Sequence, residues 1–137
     1  MFGSRAARKF LVRTAADVGD VRALVGDRIF VGWVPEEVPA PWLLITKQDA
    51  KDGGAPGRPI TEQEFRFEVA LTAEGWDDGP LVGPATALHL ALHGTQAQVD
   101  GLGVFCFREG ELVFDPPPEH GVPYVRLGGT YVVQVLA

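Results

Sequence analysis

The sequence predicts an α+β fold: a mainly antiparallel β-sheet with helices packed on one face, in a single domain spanning residues 1–137. Three observations carry this. The 46% hydrophobic content is enough for a real core at this length. The 17 glycines and 11 prolines fall between short apolar runs, which makes for short elements and many turns. The periodicity changes along the chain from helical to alternating, back to helical, and then to alternating again.

The first helix is predicted from Ser4 to Ala16, with Ser4 as its cap, and the second from Val18 to Val25. Gly26 is placed to end the second helix. A short strand follows at Asp27–Val31. Pro35, Pro39 and Pro41 lack amide donors and hold off regular pairing until Trp42. Trp42–Lys47, WLLITK, is apolar on both faces and therefore reads as a central strand. Asp49–Pro59, DAKDGGAPGRP, offers nothing to pack and reads as a long loop.

FRFEVALTA, Phe65–Ala73, alternates. Phe65, Phe67, Val69 and Leu71 face one way, and Arg66, Glu68 and Thr72 face the other. Gly83-Pro84 is read as the opening of a helix that ends near His93, with Ala85, Leu88 and Leu92 as its core stripe. Leu90 lies nearly opposite that stripe and hints at a contact between protomers. Strands are then expected at Leu102–Arg108, Leu112–Asp115 and Tyr124–Leu136, with a hairpin turn at Glu109-Gly110. Gly128-Gly129 is expected to bulge or bend the last strand.

The charge is segregated. Of 12 Lys and Arg, Arg5, Arg8, Lys9 and Arg13 precede the first acid, Asp17, leaving eight bases against 18 acids in the remainder. So acidic a body argues against wrapping nucleic acid. The basic start weakly mimics a targeting peptide, but a first helix is the preferred reading. Its basic face is read as solvated, the alternative being contact with DNA or an acidic partner. No apolar run approaches the ~18–20 residues that span a bilayer.

Catalytic constellations are thin. Cys106 lies in the apolar run LGVFCF with no activating base in view, so it reads as a core residue. His89 and His93 stand four apart on one helical face, as metal ligands do, yet His120 has no evident approach and no glutamate supports them. Asp77-Asp78 precedes Gly79-Pro80 and reads as a turn and cap. The glycine-rich loop at Gly53 lacks the lysine ending of a phosphate cradle. Trp33, Trp42 and Trp76 read as core or interface aromatics. No cofactor or metal is expected.

From Val21 to Thr46, VRALVGDRIFVGWVPEEVPAPWLLIT, the chain resembles the tail terminator (tail completion) proteins of long-tailed bacteriophages and related gene-transfer particles. FRFEVALTA resembles their long alternating strand, ATALHLALHG the helix after it, and YVRLGGTYVVQVLA the closing strand. The double glycine and the PPPEHG loop depart from that pattern. The resemblance implies a non-enzymatic virion protein at the tail–neck junction, assembled in the host cytoplasm as a homo-oligomer, typically a hexameric ring. Such a ring caps the tail tube, stops its elongation and meets a neck or head-closure protein, while DNA passes through the lumen unread.

On this reading the loop carrying Asp49, Lys51, Asp52, Gly53, Gly54, Gly57 and Arg58 contacts the tube, and Leu90, Arg66 and Glu68 meet a neighbouring protomer. The alternatives are another neck adaptor, of head-closure or connector type, and a small metal- or ligand-binding enzyme domain built on His89, His93 and Asp77.

Overall fold

The computed structural model describes residues 3–53, 57, 61–75, 77–114 and 124–137. Two helices open the chain, α1 (Ser4–Asp17) and α2 (Gly19–Val25). They are followed by β1 (Ile29–Val31), β2 (Trp42–Gly53), β3 (Glu62–Glu74), α3 (Gly79–Leu92), β4 (Thr95–Val99), β5 (Leu102–Phe114) and β6 (Tyr124–Leu136). The fold is α+β, as expected. One six-stranded sheet runs in the order β1-β2-β3-β6-β5-β4, antiparallel except for the β1–β2 pair.

Alternation decides which side of the sheet meets the helices. Phe65, Phe67, Val69 and Leu71 of β3 are buried, together with Val125, Tyr131, Val133 and Val135 of β6. They join Leu43 and Ile45 of β2 and Val104 and Cys106 of β5 in one cluster. The helices add Ala7, Phe10, Leu11, Ala15, Val21, Val25, Leu81, Leu88 and Leu92. Each large apolar side chain so buried contributes about 1.5–3 kcal/mol relative to exposure. Cys106 is fully buried, and burial pushes its thiol pKa up to about 12.

Five local expectations are corrected. Helix α1 is not capped by Ser4: the cap position is Gly3, with no side-chain cap bond. The Gly3 amide instead donates to Gln63 Oε1 at 2.7 Å, and a Cβ on Gly3 would fall 2.9 Å from Val135 Cβ. The helix start is thereby held by β3, and the packing leaves no room for a side chain.

The expected loop at Asp49–Pro59 is half strand. Asp49, Lys51, Asp52 and Gly53 lie in β2 and pair with Glu62–Arg66. Poor strand formers are held there by cross-strand partners, Lys51 by Glu64 at 3.0 Å and Asp52 by the Gln63 amide at 2.7 Å. Gly57 sits at φ 79°, while Gly54 and Arg58 lie outside the described residues.

Helix α3 begins at Gly79, not at Gly83. Pro80 occupies its first turn and Pro84 lies inside it, forfeiting one intrahelical bond. The earlier start adds Leu81 to the buried stripe.

No hairpin turn forms at Glu109-Gly110. The two expected strands are one, β5, with a bulge between Arg108 and Gly110, and the strand Thr95–Val99 supplies the missing partner at its edge. Asp115, His120 and Trp76 lie outside the described residues.

The glycine pair of β6 neither bulges nor breaks its own strand, because pairing with β3 is continuous from Glu62–Leu136 to Glu74–Tyr124. The irregularities sit in the outer neighbours, at Gln48 in β2 and at Glu109 in β5, on nearly the same level of the sheet. Bulges raise local twist, and two at one level curl the sheet. Helix α1 then touches both of its edges, β1 and β4. Lys9 of α1 pairs with Asp100, just past β4, at 2.9 Å.

Candidate functional site

Three surfaces bring chemically distinctive side chains together. The first is the sheet face turned away from the helices, at the level of the bulges. Arg66 of β3 reaches over β6 to Glu109 of β5, its Nη2 donating at 2.8 Å, and its Nη1 approaches Asp49 Oδ2 on β2 at 3.3 Å. These carboxylates, Glu109 foremost, hold the guanidinium pKa above its ordinary value. Glu68 pairs with Arg126 and accepts a bond from Gln48 Nε2 at 3.1 Å. Arg66 and Glu68, read from sequence as available to a neighbour, are thus engaged within the protomer.

Among the described residues, the β2 edge and Leu90 of the expected contact surface remain open. Strand β1 covers β2 only from Leu43 to Ile45. Lys47–Gly53 therefore has β3 on one side and, among the described residues, no strand on the other. Leu90 is 73% exposed on α3 and Trp33 is 69% exposed after β1. Trp42, by contrast, packs against Tyr124 with ring centroids 6.0 Å apart.

The second surface is a cavity of about 360 Å³ between α3, β5 and β6, lined by Asp78, Thr86, His89, Arg108, Glu111 and Tyr131 together with Val82 and Gly128. Strand alternation and the Glu109 bulge put Arg108 and Glu111 on its wall, beside Gly128 of β6. A Cβ on Gly129 would lie 2.8 Å from Arg108 Cδ. Tyr131 Oη and His89 Nδ1 are 3.4 Å apart, and the His89 and His93 rings stack at 5.1 Å. His93 Nδ1 accepts the Arg108 amide at 2.9 Å.

Burial first, then the charges of Arg108 and His93, lowers the His89 pKa below 6.5, and burial pushes Tyr131 up to about 12. Both are therefore neutral near pH 7. Among the described residues no three His, Cys, Asp or Glu side chains are grouped to hold a metal ion. His89 and His93 stack on each other, and His93 Nδ1 is taken by a backbone amide. Asp77, the acid read alongside them, caps the amide of Gly79 at 2.9 Å. The cavity was not visible in the sequence, since Arg108, Glu111 and Tyr131 come together only through the pairing of β5 with β6.

The third surface is a groove of about 340 Å³ where α1 meets β1. Val12 and Val31 line it among Arg5, Arg8, Lys9 and Arg13. No helix is long and apolar enough to cross a membrane.

No family model matches this sequence, and no curated protein matches it. Ten solved chains match it in structure. One of them, whose name describes no function, superimposes with a TM-score of 0.52 at 14% identity, over 91% of this chain and 94% of its own. A likeness at that identity shows a shared α+β fold and nothing of its use.

Proposed function

We propose that this chain is a structural, ring-forming protomer of the tail terminator kind, which caps a completed tail tube and joins it to the neck. The observation that carries the reading is the β2 edge from Lys47 to Gly53, which no strand among the described residues covers. An exposed ladder is what strand addition to a neighbouring subunit requires. Exposed Trp33 and Leu90 supply apolar anchors of the kind that interfaces bury. The family resemblance runs over nearly the whole chain and supports the same reading. So does the acidic balance, net −6, in a lumen through which DNA must slide without adhering.

Catalysis is the weaker reading. The cavity beside His89 holds polar groups, but the Tyr131 hydroxyl, 3.4 Å from His89 Nδ1, has its pKa pushed up to about 12 by burial, and Cys106 is sealed in the core.

The deciding experiment removes residues 53–57, which run on from the end of β2, and measures tail length by electron microscopy of particles assembled with the shortened chain. Overlong or headless tails, with the purified protein still folded, are the expected result. Tails of normal length joined to heads would refute the role.

A further inference from the structure

The α1 groove and the α3 cavity share no residue and no element, and their charges are opposite. In the groove, Lys9 bonds Asp100, and that one carboxylate also feels Arg5 and Arg13. Arg5, Arg8 and Arg13 are exposed, and among the described residues none of them is within ion-pair distance of any carboxylate. Four cations thus face one anion. In the cavity, Asp78 and Glu111 have no ion-pair partner among the described residues, and Arg108 is the single cation on the wall.

Resting on the ring reading above, we infer that the basic face of α1 in one copy docks onto the cavity mouth at α3 and β5 of the next, Arg8 and Arg13 meeting Asp78 and Glu111. The apolar parts agree with the charges. Val12 and Val31 floor the groove, and Val82, 49% exposed, stands at the cavity. An apolar centre inside a charged rim is the usual anatomy of an interface.

The sign pattern also keeps α1 off a two-fold axis, where its excess positive charge would face itself. Repeated from each copy to the next, the joining of α1 to the cavity is head-to-tail, and such contacts close into rings or run on as filaments.

Native mass spectrometry and sedimentation of the purified full chain at low salt test this. Arg8→Glu/Arg13→Glu should weaken self-association on the order of a hundredfold, with circular dichroism and melting unchanged. Asp78→Lys/Glu111→Lys should do the same. Mixed in equal amounts, the two variants should assemble again with alternating copies, because every contact then pairs opposite signs. Rising salt should weaken the wild-type assembly.

A wild-type chain that stays monomeric at every concentration, a reversed variant with wild-type mass, or a mixture that stays monomeric would each overturn the contact. Unchanged mass with loss of duplex DNA retention in a gel would reassign α1 to nucleic acid. Tail length in the deletion experiment is a separate readout, so this interface can fail while the capping role stands.

Discussion

Gly128 passes so close to Val69 that a Cβ on its backbone would lie 2.0 Å from the Val69 carbonyl oxygen and 2.9 Å from Ala70 Cα. Both obstacles are main chain in the middle of β3, which cannot turn aside as a side-chain tip can. Gly128 is therefore required by the approach of two strands, not by a turn. Gly128→Ala should destabilise the protein by at least about 3 kcal/mol, the upper range for overpacking, or prevent folding. Gly83→Ala, where a Cβ meets nothing within 4 Å, is the matched control. Equal melting temperatures for the two variants would show that the strands separate easily.

Cys106 gives a second prediction. It is fully buried, and its thiol is pushed up to about 12. The thiolate is the reactive form, so the native protein should be silent to a disulfide reagent such as DTNB at pH 8. Reactivity should appear over the same denaturant range as the loss of circular dichroism. Rapid labelling of the native protein would mean that β5 opens locally.

Much of this fold was legible in local pattern. The alternation of FRFEVALTA put Phe65, Phe67, Val69 and Leu71 on the core face because a strand has period two, and all four are buried there. Gly26 ended α2 as expected, at φ 61°. What stayed hidden depends on partners distant in sequence. Asp49–Gly53 has loop composition and becomes strand because β3 supplies its ladder. Thr95–Val99, TQAQV, carries little apolar signal, since it is an edge strand whose outward residues stay wet. Glu109-Gly110 has the composition of a turn, yet β6 runs beside both halves of β5 and makes the pair a bulge. The cavity failed to show for the same reason: Arg108, Glu111 and Tyr131 are neighbours only once β5 and β6 have paired.

His89 carries a pH prediction. Burial, with Arg108 and His93 close by, lowers its pKa in the fold, while the unfolded chain takes the proton near 6.5. The unfolded state thus binds more protons as pH falls below 6.5. Stability should decline across that interval, and the His89 share of the loss should end below its depressed folded value. A plot of melting temperature against pH should show this descent in the wild type and a shallower one in His89→Gln. Identical slopes would mean that His89 takes its proton as readily in the fold as in the unfolded chain.

Arg66 and Phe67, adjacent on β3, separate two accounts of what curls the sheet. If the cross-sheet ion pairs of Arg66 with Glu109 and Asp49 held the curl, Arg66→Ala would cost heavily. These groups are part-exposed and screened by water, and such pairs add little. The bulges at Gln48 and Glu109, the bare backbone at Gly128 and the core beneath them are enough to set the shape. Phe67 is fully buried in that core, so Phe67→Ala should cost about 3–5 kcal/mol. Arg66→Ala should shift the urea midpoint far less, and adding salt to the wild type should imitate it. A midpoint for Arg66→Ala as low as that of Phe67→Ala would mean that charge, and not packing, bends β3 toward its neighbours.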